Sequence, residues 1–108
     1  MTNPAQERRA NARVHVRSQV WLGRDGVFTH GLQRLSNLSV AGAFIETTSG
    51  DPVSSVLNMR FSLAADLITS TVIVRYVLPH GMGVEFLDLS QEDRDRIAAF
   101  IVREQLPA

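Results

Sequence analysis

The sequence predicts a mainly β fold, a small six-stranded antiparallel barrel completed by one C-terminal α-helix. Three observations predict it. Short runs of alternating apolar and polar residues recur between positions 13 and 88, and clusters of Gly, Pro, Asp, Asn and Ser punctuate them. Only after Ser90 does the apolar spacing lengthen to that of a helix. At 108 residues the chain has the size of one domain with a single core.

Residues 1–12 hold no side chain suited to a core apart from the initiator Met, and they carry Pro4 and clustered charge. They read as a flexible basic arm. From Val14 the pattern alternates, with Val14, Val16, Val20 and Leu22 on one side and His15, Arg17, Gln19 and Trp21 on the other. This is a half-buried strand, expected to end at the turn formers of positions 23–26.

A second strand is expected over 27–35, followed by a tight segment from Asn37 to Gly42 and a short apolar strand over 43–46. Positions 47–55 (TTSGDPVSS) form a loop by composition, because Gly50, Asp51 and Pro52 each favour turn geometry. Leu57, Met59, Phe61 and Leu63 then alternate with Asn58, Arg60 and Ser62. The β-branched run 69–78 predicts a longer strand stopped by Pro79, His80 and Gly81, and 83–87 gives the last one. Ser90 and Asp93 resemble a capping box, and Ile97, Phe100 and Ile101 share one helical face, which places the helix over about 91–105.

Composition removes several functions. There are no cysteines, so disulfide frameworks, zinc fingers and thiol catalysis are out. No apolar run approaches the ~18 residues of a membrane span, and the polar N-terminus lacks a secretory core, so a cytoplasmic protein is expected. His15, His30 and His80 are scattered and lack metal-ligand spacing. No G-x-S-x-G elbow exists, and the Gly81-x-Gly83 pair runs into a strand instead of the helix that would hold a pyrophosphate. Asp88, Glu92, Asp93 and Asp95 sit at the start of the helix, where they would complement its dipole. No enzyme is predicted.

Net charge is zero, but residues 1–36 hold six Arg against two acids, and residues 37–108 hold five Arg against nine acids. The overall neutrality and the acidic second half argue against nucleic acid as a partner. Every Lys/Arg cation is an arginine, a planar fork suited to bidentate pairing with a phosphate or a base edge.

Two features stand apart from this framework. Arg8, Arg9 and Arg13 cluster where the arm joins the first strand. On an extended backbone of about 3.3 Å per residue Arg9 and Arg13 would lie ~13 Å apart, so they serve a large ligand or the segment curls. Asn37-x-Ser39-x-x-Gly42 joins two strands, placing short polar side chains beside a residue that permits close backbone approach.

In this order the two features resemble the PilZ domain family, whose signature is R-x-x-x-R followed by [D/N]-x-S-x-x-G. Arginine is abundant enough that Arg13 and Arg17 give a second R-x-x-x-R match, whereas composition predicts the second motif only about 0.05 times. Asn37, Ser39 and Gly42 therefore carry most of the resemblance. The closing residues 83–90 and the helix are also similar to the end of a PilZ domain.

The resemblance implies a six-stranded PilZ-type split barrel over residues 13–108 and a receptor for cyclic di-GMP in bacterial second-messenger signalling. It implies that Arg8, Arg9 and Arg13 bind phosphates and guanine edges while Asn37 and Ser39 contact the ligand from the barrel surface, which Gly42 keeps open. Arg8, directly before the motif, implies two mutually intercalated ligand molecules, and Tyr76 stands where some members place an aromatic that stacks on guanine. A downstream protein partner is expected, with no further cofactor. The alternative is a PilZ-fold interaction module that does not bind nucleotide.

Overall fold

The structure, a computed structural model, describes residues 13–105. Its elements are β1 (Val14–Arg24), β2 (Val27–Leu38), β3 (Gly42–Glu46), β4 (Val56–Leu63), β5 (Asp66–Leu78), β6 (Gly81–Phe86) and a helix, α1 (Gln91–Gln105). The strands close into a barrel in the order β1-β2-β3-β6-β5-β4, with every neighbouring pair antiparallel. This is the expected mainly β architecture with its C-terminal helix.

The alternation read from the sequence decides which way each strand faces. Val14, Val16, Val20 and Leu22 of β1 point into the barrel, as do Leu57, Met59, Phe61 and Leu63 of β4. Leu35, Ile45, Ile68, Val72, Val74 and Met82 complete the interior. Burying a Val, Leu, Ile, Met or Phe side chain is worth ~1.5–3 kcal/mol, so these rows hold the register of all six strands. Ile97 and Ile101 of α1 enter the same core, and Phe100 packs against it in part. Ser90 caps the helix by accepting the Asp93 amide at 3.0 Å. Arg96 pairs with Glu92 (2.6 Å), Asp93 (2.8 Å) and Asp66 (3.8 Å), which ties α1 to the start of β5.

Several boundaries differ from expectation, each for a physical reason. β1 continues through Gly23 to Arg24, and the turn to β2 consists of Asp25 and Gly26 with φ of 54° and 78°. Such paired positive angles match the right-handed twist of the strands. Gly23 lies within the strand where the backbones approach closely, since a Cβ there would fall 1.7 Å from the Val27 carbonyl oxygen. β2 extends to Leu38 instead of ending at 35, so Asn37 lies in a strand and the turn narrows to 39–41. β5 begins at Asp66 instead of 69, after a hairpin of Ala64 and Ala65 without Gly, Pro or Asn. β6 covers Gly81–Phe86, so Gly81 is a strand residue instead of a stop.

Asp88 also departs from its expected role. Its carboxylate accepts hydrogen bonds from the Thr71 amide (2.5 Å), the Thr71 hydroxyl (3.0 Å) and the Ser70 hydroxyl (3.0 Å). It ties the exit of β6 to β5 instead of complementing the helix dipole.

Candidate functional site

The outer surface of β2, β3, β6 and β5 is built from a transverse row of paired residues. His15 of β1 faces Asn37 of β2, which faces Phe44 of β3, then Gly83 of β6, then Tyr76 of β5. Paired residues share a face of the sheet. Here that face is the exterior, because the strand neighbours Val14, Leu38, Ala43 and Val84 are buried inside.

Tyr76 reaches the exterior through a β-bulge. The pairing of β5 with β6 shifts between Val74 and Tyr76, and the extra residue is Arg75. Val72 and Val74 point inward, so plain alternation would carry Tyr76 into the barrel. The bulge resets the phase and leaves Tyr76 44% exposed. Its ring rests on the bare backbone of Gly83, where a Cβ would fall 2.2 Å from Tyr76 Cε1. Phe44 supports the ring from the side, with centroids 6.3 Å apart and planes inclined by 28°.

Beside this ring lies a shallow depression of about 190 Å³ lined by Arg13, Ala41, Gly42, Arg75, Tyr76 and Glu85, among others. Three of the residues predicted from the sequence meet here: Arg13, Gly42 and Tyr76. Arg13 and Tyr76 are exposed. Gly42 is buried, and a Cβ on it would fall 2.1 Å from the Val84 carbonyl oxygen, so the close approach of β3 to β6 needs glycine at this point. The volume is below the ~300 Å³ at which pockets begin to enclose drug-sized ligands, so the depression suits one fragment of a larger ligand.

The other predicted residues are placed differently. Asn37 lies one strand away, opposite Phe44. Its Oδ1 is buried and has no hydrogen-bond partner among the described residues, an acceptor whose desolvation is uncompensated. Ser39 is 1% exposed. Its Oγ accepts the amides of Ala41 and Gly42, each at 3.2 Å, and donates to the Gly42 carbonyl at 3.3 Å. This hydroxyl shapes the turn from within. Arg8 and Arg9, with the rest of the arm over 1–12, lie outside the described residues.

The sequence alone does not single out Arg75 or Glu85. They come together only through the register of β5 against β6, where Glu85 faces Ile73 and the bulged Arg75 swings beside it. Arg75 donates through Nε and Nη2 to the same oxygen, Glu85 Oε2. Tyr-x-x-x-x-x-x-Gly and Arg-x₉-Glu carry no recognisable signal without that register.

A larger hollow of about 420 Å³ sits at the turn between β1 and β2, lined by Arg24, Asp25, Gly26, Val56, Leu57 and Asn58. Its polar groups are largely spent: Asn58 Oδ1 accepts the Gly26 amide at 2.8 Å, and Arg24 pairs with Asp51 at 3.3 Å. None of the predicted residues that the structure describes line it. Among the described residues no three His, Cys, Asp or Glu side chains converge as metal ligands. No described helix is long and apolar enough to cross a membrane.

Comparison with known proteins agrees with this architecture. The PilZ domain model matches residues 7–103. The chain belongs to the PilZ domain family. Among solved structures, this PilZ chain is similar to the Bacillus subtilis inhibitor of motility MotI/DgrA, with a TM-score of 0.75 and 14% identity. That match covers 88% of this chain and 50% of the other, so the PilZ chain spans about half the length of MotI/DgrA. It is also similar to the Legionella uncharacterized protein Lpg0364, with a TM-score of 0.58 and 10% identity over 84% of this chain and 90% of that one. At these identities the likeness concerns the fold. No curated protein matches the PilZ chain by sequence.

Proposed function

We propose that this PilZ protein is a receptor for cyclic di-GMP, a sensor that binds its ligand on the outer surface of β3, β6 and β5 and performs no chemistry on it. The observation that carries this reading is the convergence of Arg13, Gly42 and Tyr76, three residues picked out by the family resemblance, on one depression. The exposed Tyr76 ring offers a face for a guanine. Arg13 offers a fork for a phosphate or for the O6/N7 edge of a base. Asn37 Oδ1, which has no hydrogen-bond partner among the described residues, is an acceptor for a donor of the ligand.

In this reading Arg8 and Arg9 close over the ligand from the arm. The surface thus created is read by a downstream protein. Ser39 contributes by holding the turn that carries Gly42 beside the site. Arg8 favours two intercalated ligand molecules per protein.

Titration calorimetry with cyclic di-GMP tests the proposal. Wild type is expected to bind, and Arg9→Ala to bind at least about tenfold more weakly, the loss of one good bidentate contact. No binding by wild type, or equal binding by the variant, overturns it. A stoichiometry of one ligand per protein removes the intercalated pair and leaves the receptor.

A second reading, an interaction module without nucleotide, draws on the end of β5, where Tyr76, Val77 and Leu78 are 44%, 40% and 43% exposed in succession. Contiguous exposed apolar side chains mark contact surfaces. The same titration separates the two readings.

A further inference from the structure

We infer that the Arg75–Glu85 pair selects the base, reading the edge of a guanine whose face lies on Tyr76. This rests on the receptor reading above and adds to it the residues that distinguish guanine from other purines.

The pair is joined through one carboxylate oxygen. Arg75 uses Nε and Nη2 on a single oxygen, Glu85 Oε2. Glu85 Oε1 and Arg75 Nη1 have no partner among the described residues. The side chains are 55% and 44% exposed, and both line the depression beside Tyr76. One ion pair lining the depression beside the aromatic ring therefore keeps a donor and an acceptor for a ligand.

The pattern matches guanine. Its O6 and N7 accept, and its N2 amino group donates, as does its N1–H. Arg75 would donate to O6, and Glu85 Oε1 would accept from N1–H and N2–H. Adenine presents an N6 donor where guanine has O6 and an N1 acceptor where guanine has N1–H. It would set donor against donor and lone pair against carboxylate, leaving Arg75 Nη1 and Glu85 Oε1 without partners on desolvation.

The β-bulge at Arg75 gives the arrangement its geometry. Without it Arg75 and Tyr76 would point to opposite faces of β5. With it both are exposed at one depression. An exposed cross-strand ion pair is otherwise worth little to stability, so a purely structural role predicts no change in base preference when it is removed.

The experiment is calorimetry of wild type, Glu85→Ala and Arg75→Ala with three ligands: cyclic di-GMP, cyclic di-IMP, which lacks only the N2 amino groups, and cyclic di-AMP. Wild type is expected to bind cyclic di-GMP about tenfold or more tightly than cyclic di-IMP, and cyclic di-AMP more weakly still. Glu85→Ala should bring cyclic di-GMP down to the level of cyclic di-IMP. Arg75→Ala should weaken both together and keep their ratio. Equal binding of cyclic di-GMP and cyclic di-IMP by wild type, or an unchanged ratio in Glu85→Ala, overturns the assignment while the receptor reading stands. A wild type that binds none of the three overturns both.

Discussion

The ring of Tyr76 lies directly on the backbone of Gly83, its cross-strand partner, close enough that a Cβ on Gly83 would fall 2.2 Å from Cε1 and 2.3 Å from Cζ. The bulge at Arg75 turns the tyrosine outward, and the missing side chain on β6 lets the ring lie flat against the barrel. An exposed aromatic is thereby held in one orientation.

Two glycine-to-alanine variants should behave differently for that reason. At Gly83 the obstacle is the end of an exposed side chain that can swing aside, so Gly83→Ala should cost less than about 1 kcal/mol of stability. Displacing the ring should nonetheless weaken cyclic di-GMP binding about as much as Tyr76→Ala does, roughly tenfold for one lost base–aromatic stack. At Gly42 the obstacle is the Val84 carbonyl oxygen, 2.1 Å from where an alanine methyl would stand, and the strands themselves must part. Gly42→Ala should cost more than about 2 kcal/mol. Thermal melts and calorimetry on the two variants check this, and equal stability losses would contradict it.

Much of the fold is legible in the sequence because it follows from alternation. The inward rows of β1 and β4 and the helical face of Ile97 and Ile101 are each visible as a period. Features that depend on pairing are not. The bulge at Arg75 changes the phase of β5 in a run of β-branched residues that gives no local sign of it, which is why the sequence leaves the side taken by Tyr76 ambiguous. Arg75 and Glu85 are ten positions apart and meet only through the register of the hairpin. The second signature motif locates the turn correctly, but whether a serine hydroxyl faces a ligand or its own backbone depends on burial, and Ser39 is buried.

Ser39→Ala should therefore act first on stability. It removes the acceptor of the Ala41 and Gly42 amides; the Gly42 amide is buried, and a buried amide left unpaired costs about 1–3 kcal/mol. Any loss of ligand affinity should accompany a lowered denaturation midpoint. A variant that loses affinity at unchanged midpoint would mean that the hydroxyl contacts the ligand directly.

Acid should loosen the joint between β6 and β5. The hydrogen bond from the Thr71 amide, aided by the Thr71 and Ser70 hydroxyls, holds the Asp88 carboxyl below its ordinary value of 3.8. A carboxyl depressed in the folded state stabilises it above the unfolded pKa, and that contribution fades as pH falls through the folded value. The effect should be complete above about pH 5 and be lost as pH falls below 3.8. Asp88→Asn should cost about 1 kcal/mol at neutral pH, a modest figure because the carboxylate is exposed to solvent. It should also flatten the fall of stability in acid. Urea denaturation across pH checks both, and parallel pH profiles for wild type and variant would contradict the role.

The hairpin between β4 and β5 offers a gain instead of a loss. Ala64 has φ of 53°, a left-handed conformation that costs an L-residue with a side chain ~1–2 kcal/mol. Glycine escapes that strain but adds about 0.5–1 kcal/mol of backbone entropy to the unfolded chain. Ala64→Gly should accordingly raise stability by about 0.5–1 kcal/mol. Ala65→Gly, at a position without positive φ, carries only the entropic penalty and should lower stability by a similar amount. Opposite shifts of the urea midpoint at unchanged slope are the expected signature. Two shifts of the same sign would mean that Leu63 and Asp66 are joined by a turn of another kind.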